Sequence, residues 1–179
     1  MQYFIFREDT KERARVFSAV DLRGEPVEGN EGTVDCATIT LQMKGRYLDS
    51  LFSIGGDFIL SRRTWDIIAR FIGPQCARWL PVDLVTKRGA PVKTIMPYGL
   101  VWSAHIYDPI DYSASVCEYF STPPGVIRTV KEVVLSREKL PECNLFRAPY
   151  RKWIVSSAIV DEISAAGCEG FRFIPVRLQ

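Results

Sequence analysis

The sequence predicts an α+β fold of mixed α/β layers, in which a β-rich N-terminal part and two weakly repeated β-α-β units surround one core. Three observations predict it. Runs of β-branched and aromatic residues with short-period alternation dominate the first 54 residues. Two similar segments, near 58–82 and 153–176, each pass from a short apolar run to helical spacing and back to an apolar run. The chain has 179 residues, 47% hydrophobic and 25% charged, and at that size about 70% of the unfolded surface can be buried, so a core forms without a metal or disulfide staple. No Pro/Gly/Ser-rich linker divides it, so 1–179 is expected to be a single domain, with 1–54 its N-terminal part and 55–179 the region that carries the repeat.

The elements follow in order. Gln2 to Phe6 and Arg15 to Val20 have strand composition, and Thr33 to Met43 alternates β-branched and small residues. Between the last two lies Asp21 to Gly32, with three glycines, one proline and four acids against Arg23, which predicts an exposed loop. In the first repeat unit, Phe58-Ile-Leu-Ser61 precedes a helical stretch that runs to Gly73 and then Trp79-Leu-Pro-Val82. In the second, Trp153-Ile-Val-Ser156 precedes a helical stretch that runs to Gly167 and then Phe173-Ile-Pro-Val176. Ser61 and Ser156 are expected to cap the helices, Asp66 and Asp161 to sit near the positive dipole ends, and Gly73 and Gly167 to stop them. Trp65, Ile68 and Ile72 in one helix, and Ile159, Ile163 and Ala166 in the other, are spaced to share a core-facing stripe. Lys87-Arg-Gly-Ala-Pro91 is a turn between strand-like runs Arg78 to Val85 and Val92 to Met96. Ser121-Thr-Pro-Pro-Gly125 is a turn before a strand over Val126 to Leu135.

Chemistry is sparse. Five cysteines, Cys36, Cys76, Cys117, Cys143 and Cys168, form no CxxC pair, and their odd count is expected to mean reduced thiols in a cytosolic core. The N-terminal apolar run is too short for a signal-peptide core, and charged residues interrupt every hydrophobic stretch before membrane-spanning length. A cytoplasmic protein with no membrane role is the expectation. The single histidine, His105, lies in a strand-like run with no local sequence marking a thiol or hydroxyl partner. Asp108 and Asp111 could share a divalent cation on one helical turn, but Asp-Pro reads first as a turn or helix start. The alternative to a binding protein is therefore a small hydrolase using His105 or a carboxylate site at Asp108/Asp111. No GxGxxG or phosphate loop occurs, and no cofactor is expected. A net charge of +2 carries no signature of direct nucleic-acid binding. Its distribution is uneven, with 7 basic against 10 acidic residues in 1–60 and a basic excess in the remainder.

From Gly55 onward the chain resembles the Imm11 family, the immunity MXAN-type domain of bacterial polymorphic toxin systems. The matching pieces are, in order, Phe58-Ile-Leu-Ser61, Tyr107-Asp-Pro-Ile-Asp-Tyr-Ser113, Val133-Val-Leu135, Asn144-Leu-Phe-Arg147, Trp153-Ile-Val-Ser156 and Gly170-Phe-Arg-Phe-Ile-Pro-Val176. The resemblance implies no catalytic residue. It implies a partner, a cognate toxin that the protein binds and blocks by stoichiometric association. If that toxin is a nuclease with a basic surface, the acidic loop is the expected contact, through Asp21, Glu25, Glu28 and Glu31.

Overall fold

The computed structural model describes residues 1–8, 15–23, 36–43, 47–53, 58–103 and 105–179. Most of the regular structure among the described residues is strand, with two short α-helices, so the fold combines α and β but is mostly β. One sheet joins β1 (Tyr3–Glu8), β10 (Val134–Leu135), β11 (Leu145–Ala148), β12 (Lys152–Ser156) and β13 (Phe171–Leu178), in the order β10-β13-β1-β12-β11. A closed barrel joins β2 (Arg15–Arg23), β3 (Cys36–Met43), β4 (Ser50–Ser53), β5 (Phe58–Ser61), β6 (Arg78–Val85) and β7 (Tyr98–Trp102), in the order β2-β3-β6-β7-β5-β4. β8 (Val116–Tyr119) and β9 (Ile127–Glu132) form a two-stranded ribbon. The helices are α1 (Arg62–Ile68) and α2 (Ser157–Ala165), with a 3₁₀ turn at Arg137–Lys139.

The two larger sheets follow one plan. β5 and β6, joined by α1, flank β7 and run antiparallel to it, while β12 and β13, joined by α2, flank β1 in the same way. Outside them, β4 pairs antiparallel with β5 as β11 does with β12, and β3 pairs parallel with β6 as β10 does with β13. The centre of the second sheet is thus filled by the N-terminal strand. Tyr3 faces Ser156 on one side and Val176 on the other. Residues 1–54 were expected as one N-terminal part, but β1 belongs with the C-terminal strands and β2 to β4 with the barrel.

Alternation along the strands sorts side chains into three cores. Ile39, Leu51, Ile59, Leu84, Tyr98 and Leu100 fill the barrel. The Tyr98 hydroxyl donates to the Leu48 carbonyl at 2.8 Å, and burial, helped by Asp49, pushes its pKa up. Phe58, Leu60 and Val101 point the other way, meeting Phe6, Trp153 and Val155 of the sheet together with Ile67 and Ile68 of α1 and Ile159 and Ile163 of α2. Phe6 lies 4.5 Å from Phe58 edge-on and 5.1 Å from Phe173. The far face of the sheet, with Ile5, Phe146 and Ile154, is covered by Ile110, Val130, Val133 and Leu135.

Several expectations are corrected. Val92 to Met96 is not a strand; after the turn at Gly89 (φ +79°) the chain stays irregular until Tyr98. Val126 to Leu135 breaks at Val133, because β9 pairs in the ribbon and β10 in the large sheet. Gly73 does not stop α1, which ends four residues earlier at Ala69. Asp66 lies outside the first turn, where it binds Arg62 at 2.7 Å instead. The five thiols are not all reduced: Cys76 and Cys143 form a disulfide with Cα atoms 6.0 Å apart, tying the segment after α1 to the approach to β11, while Cys117 and Cys168 are free. Spacing could not show this, because 67 residues separate the two cysteines.

The helix starts differ from each other. Ser61 caps α1, accepting from the Thr64 N–H at 3.2 Å and donating to Asp49 Oδ1 at 2.7 Å. Ser156 makes no side-chain cap, and its buried hydroxyl has no partner among the described residues. The first N–H of α2 is satisfied instead by the Gln2 carbonyl at 2.8 Å, as that of α1 is by Pro97 at 2.9 Å. At the other end, Gly167 (φ +63°) closes α2 in a Schellman arrangement, with Cys168 N–H bonding Ile163 and Gly167 N–H bonding Ser164. Gly167→Val should therefore cost about 1–3 kcal/mol, since a β-branched residue is strained at positive φ. Ser61→Ala should cost about 0.5–2 kcal/mol, whereas Ser156→Ala should cost nothing because no bond is lost. Urea midpoints of the three variants check this, and equal losses at both serines would refute the assignment.

Candidate partner-binding surface

α1 buries Thr64, Ile67 and Ile68. Trp65 on α1 and Ile72 beyond its C-cap Ala69 are partly buried, and Ala69 is exposed. Of the expected core face, Ile68 is fully buried, while Trp65 and Ile72 pack on the core and also edge a cleft. In α2 the expected Ile159 and Ile163 are fully buried and Ala166 half-buried at the C-cap.

After α1 the chain turns through Gly73 and Pro74, is clamped by the Cys76–Cys143 bridge, and enters β6 at Arg78 and Trp79. Asn144 adds a second clamp, its Nδ2 donating to the Phe71 carbonyl at 3.0 Å. The Trp79 ring lies over Gly99 of β7, where any Cβ would overlap it. Its Nε1–H donates to the Leu60 carbonyl at 3.2 Å, and the Arg62 guanidinium stands 5.2 Å from its centroid. Together these elements enclose an open cleft of about 320 Å³, lined by Trp65, Ala69, Ile72, Pro74, Ala77, Arg78 and Trp79. The surrounding stretch 62–79 holds Arg62, Arg63, Arg70 and Arg78 against Asp66 alone. Arg70 reaches Glu162 of α2 at 2.9 Å, and Arg63 donates to the Ala166 carbonyl.

A second exposed apolar surface lies on the ribbon. Val116, Tyr119, Phe120 and Val126 are each 45–56% exposed, whereas Cys117, Ile127 and Val130 of the same ribbon pack on the core beneath. A Glu118–Lys131 pair at 2.6 Å crosses the strands. Between β11 and β12, Tyr150 and Arg151 both adopt positive φ (59° and 55°), a strained turn for two bulky residues. Nothing in the local sequence signals it.

The residues singled out from sequence do not converge. Asp21 lies within β2, its backbone opposite Thr38, rather than in a loop. Glu25, Glu28 and Glu31 lie outside the described residues. His105 is exposed, its ring 6.1 Å from that of Tyr107 and its carbonyl accepting from Ser103 Oγ at 2.9 Å. Asp108 accepts from the Tyr112 hydroxyl at 2.9 Å. Asp111 accepts from the Ser113 hydroxyl at 2.6 Å and from the Ser113 and Ala114 N–H groups, and these bonds hold its carboxyl below the usual range. Each carboxylate thus organises its own loop. Among the described residues no cluster of three or more His, Cys, Asp or Glu side chains is placed to hold a metal ion, and no helix is long and apolar enough to cross a membrane.

The barrel side thus gathers aromatic rings and arginines around one cleft. The family model of the immunity protein family Imm11 matches residues 10–177, and the chain belongs to that family. The match reaches well upstream of Gly55, where the sequence resemblance began, and takes in the barrel strands β2 to β4. No curated protein matches the chain.

Gly99→Val should drive Trp79 off its seat, with a red-shifted tryptophan emission and a loss of about 1–3 kcal/mol from overpacking. Unchanged emission and midpoint would mean that the ring does not rest on Gly99.

Proposed function

We propose that this protein is an immunity protein that neutralises a cognate toxin of the same bacterium by stoichiometric association rather than by chemistry. The observation that carries the reading is the family match over residues 10–177. The engagement of Asp108 and Asp111 in their own loops supports it. The acidic segment holding Asp21, Glu25, Glu28 and Glu31 is a proposed contact for a basic, nuclease-type toxin, and the cytoplasm is the proposed place of action.

Co-expression is the decisive experiment. Cells producing the toxin domain encoded beside this chain should survive only when the chain is present, and the two proteins should co-purify as a defined complex. His105→Ala and the Asp108→Asn/Asp111→Asn pair should protect as well as the wild type, and chelators should leave the complex intact. Loss of protection by a folded variant with the complex preserved would instead reveal catalysis. The compartment has its own readout, because the Cys76–Cys143 bridge persists in oxidising surroundings and is reduced by cytosolic thiols. Alkylating thiols before lysis should find the pair reduced if the protein acts in the cytoplasm; a bridged pair would place it in the cell envelope.

A further inference from the structure

We infer that the cleft between α1 and the start of β6 is a docking site for a segment of the toxin that presents a large apolar side chain beside a carboxylate. The inference rests on the immunity reading and adds the surface and the chemistry that it recognises. The cleft is lined by Trp65 and Ile72, which are only partly buried where they pack on the core, and by the exposed Ala69 at the C-cap of α1. Pro74 and Trp79 complete the lining.

The cleft is also rigid before any partner arrives. Trp79 is seated on Gly99 and held by the Leu60 carbonyl, and the opposite wall is held by the Asn144 bond to the Phe71 carbonyl, which forms whatever the redox state of Cys76 and Cys143. In the second sheet the place of Gly99 is taken by Phe4, and Phe173, which corresponds to Trp79, stacks on Phe6. The glycine is what leaves room for an aromatic floor on the barrel side. A pre-set aromatic surface loses little conformational freedom on binding, which is why tryptophan and arginine concentrate the energy of protein interfaces.

Charge names the occupant. Arg62 and Arg70 are already engaged by Asp66 and Glu162, but Arg78 lines the cleft with no acidic partner among the described residues. Its planar fork suits a carboxylate, held bidentate at the rim while the adjoining apolar side chain enters between Trp65 and Trp79. An incoming lysine or arginine would meet Arg78 at the rim and be repelled.

The test measures affinity for the neighbouring toxin domain, carried as a catalytically inactive variant, by calorimetry with the full-length chain. Arg78→Glu reverses the rim charge, and Ala69→Tyr fills the cleft from an exposed position without touching a core; circular dichroism confirms that both remain folded. Each should weaken binding at least ten-fold, Arg78→Lys should lose less than Arg78→Glu, and Tyr119→Ser/Phe120→Ser on the ribbon should stay within about three-fold of wild type. Wild-type binding with Arg78→Glu and Ala69→Tyr both within two-fold of it would overturn the cleft while leaving the immunity reading intact. Wild-type failure to bind would remove both.

Discussion

Asp49 is 4% exposed, and both of its carboxylate oxygens are taken by partners from distant parts of the chain. Oδ1 accepts from Ser61 Oγ at the start of α1, and Oδ2 accepts from the Glu169 N–H at 2.9 Å, just before β13. Its own backbone completes the junction, with Asp49 N–H bonding the Glu169 carbonyl at 3.1 Å and its carbonyl receiving the Ser61 N–H at 2.8 Å. A buried carboxylate is costly unless its lone pairs are filled, so this position holds together only when barrel, helix and sheet are all in place. The second sheet has an uncharged counterpart, Asn144, whose carbonyl receives the Ser156 N–H.

Around that junction the shared core does the rest. Phe6, Phe58, Trp153 and the two helices are wedged between barrel and sheet, where each strand of the pair has already spent its other face on a separate core. The helices are short, at seven and nine residues, too short to be stable alone, so their position comes from packing and from carbonyls offered by the strands they cross. Because α1 is oriented by Ile67 and Ile68 and by its cap, Trp65 is left only partly covered. The cleft is therefore a by-product of how the core is satisfied, and Gly99 beneath Trp79 leaves room for its floor.

For the proposed role in association, this distribution has a consequence. Polar groups that in an enzyme would converge on a substrate are here committed to loops and caps, Asp108 to Tyr112 and Asp111 to Ser113. What remains outward are rings and guanidinium groups around the cleft. A surface already set before binding would limit the entropy lost in the proposed complex.

Much of the local structure was legible in the residues themselves. Strand runs at Gln2 to Phe6 and Arg78 to Val85, the turn at Lys87 to Pro91, the glycine stop at Gly167 and the buried face Ile159/Ile163 all follow from propensity and periodicity, which act over a few residues. The family was legible as well, through the order of short apolar motifs. Pairing was not. The N-terminal strand completes the C-terminal sheet, Cys76 meets Cys143, and Asp49 meets Glu169, because hydrogen-bond register and side-chain contact are decided by which distant edges lie open once the rest has folded. The depth of burial on α1 was not legible for the same reason: Ile67, Ile68 and Thr64 are buried while Trp65 and Ile72, which pack on the same core, stay partly open, and the pattern alone cannot rank overlapping faces. Sequence therefore determined the elements and the family, while tertiary packing decided which apolar side chains became fully buried and which stayed partly open.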